Sequence, residues 1–406
     1  MQLSIAHPFK YGDDSNSWLI RIWQKIGNKR ANTPRTHLLR KSLLVAAHNL
    51  WGYFVFLSAI IKFDAFIFLF GQTITNTRAE LWILKNLKKK IIFIYLGSDI
   101  RPPYMDGGYF AGAVEDPLPS ASALLRVVLR CKRKIRLHEK YADYLINSPA
   151  TAHFHERQYI NWFAMGIPRE LKNRQDIAIT PKKNELIRIL HSPSNPLVKG
   201  TAEIINILNK LHQKGYPIDV IKIQNMPNEA VLKELANCDF IVDQLYSDTP
   251  LATLATEAAF FGKPAIVGGY LANSESSFLA SGNLPPSLFV APEEMEAAIE
   301  RLIVDIQFRE ELGKKARDFV LSQWSPPKVA GRYLQLLNDD VPTQWWCDPA
   351  SVHYLHGCGL HKERVRRLIS LLTDKFGSTA LQVNDKPDLK AALASFATQT
   401  EEQIRA

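Results

Sequence analysis

Short apolar runs alternate along this chain with longer stretches in which apolar residues recur every three to four positions. Runs of the first kind read as strands buried on both faces, and stretches of the second kind as amphipathic helices. Alternation of the two predicts parallel sheets, because parallel neighbours need a helical crossover. In the first half, strands are expected at LSIAH (3–7), FDAFIFLF (63–70), KIIFIYLG (90–97), DYLINS (143–148) and NWFAMG (161–166). In the second half they fall at IRILHS (187–192), IDVIKIQ (218–224), DFIVDQL (239–245), KPAIVGG (263–269) and LFVAP (288–292). Helices are expected between them at TAEIINILNKLHQKG, NEAVLKELANC, PEEMEAAIERLIVD and FREELGKKARDFVLSQW. The third carries its acids in the first turn, where the helix dipole favours them.

A polar stretch without period, 169–186, divides the halves and reads as a linker. With 406 residues the chain exceeds one ordinary core. The expected fold class is therefore α/β, with two Rossmann-like doubly wound parallel-sheet domains, 1–170 and 187–337, facing across a cleft. Ligands of such sheets bind at the carboxyl ends of the strands. Residues 341–406 form a C-terminal extension after the break at Pro342, with a helical run from Lys362 to Lys375.

Composition adds little until charge is considered. Hydrophobic residues make up 46% and charged residues 22%, as in soluble globular proteins. The net charge of +10 favours phosphate-bearing partners. Cations crowd LLRVVLRCKRKIRLHEKY, within which 124–140 forms an amphipathic cationic helix suited to an anionic membrane surface or to a solvated face. Nucleic acid is a poor fit, because aromatics are not interleaved with these cations. Residues 42–61 carry no formal charge and are long enough to span a bilayer. His48, Asn49, Gly52 and Ser58 dilute the run and a strand follows at once, so a buried or membrane-grazing helix is expected. The first residues lack the plan of a signal peptide. The four cysteines lack zinc or redox spacing and read as reduced cytoplasmic thiols. His153 and His155, with Glu156 beside them, have a spacing unsuited to a helix and no further ligand evident nearby, so no metal site is expected.

Two loops could carry chemistry. In HSPSNPLVKGT a strand ends near His191, and Lys199-Gly200 opens a helix where a lysine can reach a phosphate. In DQLYSDTPLATLATEAAFFGKP, Thr249-Pro250 is a plausible helix start. Glu257 then stands on an otherwise apolar helix, where a carboxylate needs partners: two ribose hydroxyls, or a structural salt bridge.

The order HSPSN–KG, DFIVDQL, TEAAFFGKPAIV resembles the donor domain of family-4-like glycosyltransferases of the GT-B fold, over roughly 187–337. DAFIFLFGQTI, IIFIYLGSDIR and ADYLINSPA resemble that family's acceptor domain more weakly. The resemblance implies transfer of a sugar from a nucleotide-diphosphate sugar to a glycan or lipid-diphosphate acceptor, in surface polysaccharide biosynthesis. Lys199 would bind the donor phosphates, the amides of Leu251, Ala252 and Thr253 the diphosphate, and Glu257 the ribose. Ser194, Asn195 and Thr249 stand at further donor-binding positions. Gly97-Ser98-Asp99 would sit at the cleft, with Asp99 as base should the reaction invert; a loop with a helix cap is the competing reading. The family implies a retaining, metal-independent reaction without a cofactor, in the cytoplasm or on the inner membrane face. This chain departs from the family's pattern at Thr249, Ser194 and Leu96, where glutamate, arginine and histidine are usual. Those departures motivate an alternative, a catalytically silent relative acting as a nucleotide- or partner-binding scaffold.

Overall fold

The computed structural model describes residues 17–34, 36–168, 186–273, 284 and 286–398. The strand expected at LSIAH, and the 169–186 linker apart from Leu186, lie outside them.

The chain begins with a helical hairpin, α1 (Trp18–Asn32) and α2 (Leu38–Lys62). Then come β1 (Ala65–Leu69), α3 (Arg78–Asn86), β2 (Lys90–Ile94), α4 (Gly107–Phe110), α5 (Ala121–Tyr141), β3 (Tyr144–Asn147), β4 (Tyr159–Asn161) and α6 (Trp162–Met165). The four strands pair in parallel, in chain order. The run NWFAMG, expected as a strand, is strand only at Asn161. Its side-chain Oδ1 accepts the Phe163 N–H at 3.0 Å and starts α6, as asparagine does at helix N-termini.

The second unit contains β5 (Ile187–His191), α7 (Pro196–Lys199), α8 (Thr201–Gln213), β6 (Ile218–Lys222), α9 (Asn228–Asn237), β7 (Phe240–Gln244), α10 (Thr253–Phe260), β8 (Ala265–Gly268), β9 (Leu288–Val290), α11 (Met295–Val304) and α12 (Ile306–Gln323). Its strand order is β6-β5-β7-β8-β9, parallel throughout. Strands β7 and β8 are buried at every position, because helices cover both faces. The order reverses between β5 and β7, the topological switch point of a doubly wound sheet.

The chain then returns to the first unit. Helix α13 (Pro326–Leu337) packs Leu336 against Ile92 and Ile94. Strand β10 (Trp346–Cys347) adds antiparallel to β4. Helices α14 (Lys362–Phe376) and α15 (Pro387–Thr398) bury Val365, Leu368 and Leu393 in the core that holds Phe93 and Leu124. The stretch expected as an extension thus completes the first core.

Candidate functional site

Strand β5 ends at His191, whose buried ring ties the switch point together. Nδ1 donates to the Val242 carbonyl at 2.8 Å and Nε2 accepts from the Thr201 hydroxyl at 2.9 Å. Burial lowers the pKa of this ring, which keeps it in the neutral tautomer those two bonds require. Asn195 caps the single turn α7, its Oδ1 accepting the Leu197 N–H at 3.1 Å. Lys199 closes this turn instead of opening the next helix. The reversal falls on Gly200, which is left-handed (φ +66°) and would set a Cβ 2.7 Å from Leu245 Cβ; only glycine fits both demands.

A cavity of about 230 Å³ opens at the carboxyl ends of β5, β6 and β7. Ser194, Lys199, Ala252, Thr253 and Glu257 line it, together with Asp243, Asn225 and Met226. Lys199 Nζ lies 2.7 Å from Gln244 Oε1 and 3.3 Å from Asp243 Oδ1. An ammonium has three hydrogens, so one stays available toward the cavity. Asp243 is buried, and its Oδ2 has no protein partner. Helix α10 has no side-chain cap at Ala252, which leaves its first-turn N–H groups to another acceptor.

The structure thus gathers five of the expected donor-site residues on one cavity wall, and Asn195, Thr249 and Leu251 lie outside that wall. The helix expected to start at Thr249-Pro250 starts at Thr253. Ser247 Oγ is the reason: it accepts the Thr249 N–H at 3.1 Å and donates to the Thr249 carbonyl at 2.7 Å, fixing a turn. Leu251 is fully buried. Asp243 escaped the sequence reading, although an acid inside the fully buried strand FIVDQ was its signal.

The acceptor-side tripeptide has a different environment. Asp99 Oδ1 accepts the N–H groups of Leu96 and Gly97 at 3.0 and 2.9 Å, which closes a turn; it caps no helix, since the next helical segment begins at Pro103. Burial raises its pKa, against those amide bonds. Ser98 Oγ donates to Asp106 Oδ1 at 3.1 Å. Neither lines the cavity. Arg101, two residues on, crosses to the second unit: its Nε and Nη2 lie 2.8 and 2.5 Å from Asp248 Oδ2, and its Nη1 3.1 Å from Asp106 Oδ1.

The segment before α14 lies over this ion pair and joins both units. Cys358 exchanges backbone bonds with Met105 and Gly107 of the first unit, and the Gly359 N–H donates to Tyr246 of the second at 2.7 Å. Beside it, a cavity of about 790 Å³ separates the 112–115 loop from α7 and α8, with Tyr246, Glu203, Lys222 and His361 on its wall.

Helix α5 is amphipathic as expected, with Arg126, Arg130, Arg133 and Lys140 exposed. Lys132 of the same run is buried, bonded to the Phe154 carbonyl at 2.9 Å and paired with Glu156 at 2.8 Å. His153 donates from Nε2 to the Tyr354 carbonyl at 2.6 Å, and His155 Nδ1 pairs with Glu139 at 2.9 Å. Among the described residues no group of three His, Cys, Asp or Glu converges.

No protein-family model matches the chain, and no curated protein does. Among solved structures it is similar to Anabaena HepE in complex with UDP-glucose, at 14% identity and TM-score 0.43, over 71% of this chain and 82% of that one. It is also similar to sucrose-phosphate synthase from Thermosynechococcus elongatus, at 15% identity and TM-score 0.42, over 76% and 80%. A third is S. aureus MnaA with UDP, at 12% identity and TM-score 0.38, over 81% and 84%. Likeness at this level carries no argument about substrate.

Proposed function

We propose that this chain is a glycosyltransferase that moves a sugar from a nucleotide-diphosphate sugar to a glycan or lipid-diphosphate acceptor, in surface polysaccharide assembly at the inner face of the membrane. One observation carries the reading: a lysine, two carboxylates and an uncapped helix N-terminus line a single cavity at the switch point of a doubly wound sheet. The reaction leaves negative charge on the departing diphosphate, so catalysis needs cations and N–H donors fixed there. In this reading Lys199 and the first-turn amides of α10 meet the diphosphate, and Glu257 meets the ribose. The larger cavity between the units takes the acceptor. The reading needs no metal, and retention of the anomeric configuration is part of the proposal.

Titration with UDP, GDP, ADP, dTDP and CMP, read by thermal shift, tests it. One nucleotide should raise the melting temperature by mass action, and Lys199→Ala and Glu257→Ala should each abolish the shift. No stabilisation by any nucleotide would refute the donor site.

A second reading, a nucleotide-binding scaffold without transfer, is favoured by the Arg101–Asp248 pair and the 358–359 backbone bonds, which occupy the cleft between the units. Turnover by the purified chain with its donor, lost in Glu257→Ala, would exclude it.

A further inference from the structure

Helix α2 is apolar on two opposite faces. One packs inward through Val55, Phe56 and Ala59, each at most 2% exposed, onto the core that includes Phe66 and Phe68 of β1. The other face points away from the body. Leu39, Leu43, Leu50, Phe54, Leu57 and Ile61 stand on it at helical spacing and are 50–85% exposed. No charged side chain interrupts this stripe over six turns, and at 1.5 Å per residue the helix is about 37 Å long. A monomer in water rarely exposes so large an apolar surface.

Charge identifies what covers the face. From Ser17 to Phe63 the chain carries eight Lys or Arg and no Asp or Glu. Arg21, Lys25 and Lys29 are exposed along α1, which is fixed beside α2. Trp51 Nε1 donates to the Leu19 carbonyl at 2.9 Å, Trp23 Nε1 donates to the His48 carbonyl at 3.1 Å, and the Trp23 and His48 rings stack 4.9 Å apart. A second copy on this face would bring two acid-free, eight-cation hairpins together, and like charge opposes that. An anionic lipid surface meets both halves of the hairpin: headgroups pair with the cations and acyl chains cover the stripe.

We propose that the α1–α2 hairpin lies in the interfacial layer of an anionic bilayer, with the outward face of α2 among the acyl chains. It lies along the membrane and does not cross it, because its inward face is part of the first core and β1 begins at Ala65, three residues past its end. Helix α5 offers cations but, on its exposed face, only Leu129 as a large apolar companion. A stripe of that kind binds lipid weakly and loses its hold in salt. The hairpin is therefore the anchor. This inference does not depend on the transferase reading.

The test is flotation of the full chain with vesicles of phosphatidylcholine alone or mixed with phosphatidylglycerol. Two variants run alongside: Leu43→Gln/Leu50→Gln/Leu57→Gln on the stripe, and Arg126→Ala/Arg130→Ala/Arg133→Ala on α5. The wild type should float with the anionic vesicles and be released by alkaline carbonate. The stripe variant should partition more than about 100-fold less, since each lost leucine is worth on the order of tenfold. It should melt as the wild type does, because its positions are exposed. The α5 variant should still float. Four results would overturn the proposal: a wild type that fails to bind, a stripe variant that binds as well as wild type, resistance to carbonate, which means a spanning helix, or a lipid-free dimer that the stripe variant dissociates, which means a face between copies.

Discussion

Replacing Arg101 by methionine removes the cation that bridges Asp248 and Asp106. The Arg101 and Asp248 side chains are 6% and 5% exposed, so solvent does not screen the pair and no surface discount applies. Burying a charge pair is of uncertain net value, but breaking one strands the remaining charge and costs about 3–5 kcal/mol. Urea unfolding at neutral pH should therefore show Arg101→Met destabilised by that amount. The pair joins residues 147 apart in sequence, so the loss includes docking of the two units. Asp248→Leu alone should also destabilise. Removing both partners leaves less buried charge unmatched, so the double variant should recover at least about 2 kcal/mol of the summed losses, the coupling expected of contacting residues. Nucleotide affinity should change less than about threefold, because none of the three residues lines the donor cavity. A loss below about 1 kcal/mol for Arg101→Met, or strictly additive losses, would refute the clamp.

Burial holds the pKa of His153 down at about 4, against an ordinary 6.5. Its contribution to stability is complete above pH 6.5 and is lost as pH falls toward 4, by up to about 3 kcal/mol. His153→Gln keeps a donor for Tyr354, so its stability should fall by roughly 2 kcal/mol less than that of wild type between pH 7 and 5; an unchanged fall would exclude the neutral ring. Gly200→Ala meets both a left-handed backbone and the Leu245 side chain, and should cost about 1–3 kcal/mol in denaturant unfolding and weaken nucleotide binding. Burial raises the thiol pKa of Cys131 and Cys238 to about 12, so these thiols should react slowly with a disulfide reagent at pH 8 and rapidly once the chain is unfolded.

Where burial sets the pattern, on two faces of a strand or one face of a helix, the chain is readable. Strands β5, β7 and β8 and helices α8, α9, α11 and α12 fall within a few residues of their apolar runs. Lys199 and Glu257 each stand beside a local signal, Gly200 and the apolar helix, but it was the family resemblance that implied one site for both, and they line one cavity. What escaped reading depends on contacts distant in sequence. Arg101 looks like a loop arginine until Asp248 is placed beside it. Tail residues 346–398 show no link to the first core until β10 meets β4. Thr249-Pro250 has the composition of a helix start, but Ser247 captures both backbone groups of Thr249, and the helix begins only after Leu251 is buried.

The clamp also bears on how a nucleotide reaches its cavity. Opening the units like a hinge would break the Arg101–Asp248 pair and the Gly359–Tyr246 bond together. Units joined by both of these contacts favour a route that leaves the joint closed. The cavity has one wall away from the joint, the turn after β6, where Met226 is 47% exposed and Asn225 holds a left-handed φ of +58°. A nucleotide entering past Asn225 and Met226 would set its diphosphate against Lys199 and α10 without disturbing the clamp. Replacing Met226 by tryptophan should then slow association several-fold in stopped-flow binding while dissociation slows in proportion, since a narrowed passage is crossed in both directions. A change confined to dissociation would place Met226 in contact with the bound ligand and the entrance elsewhere.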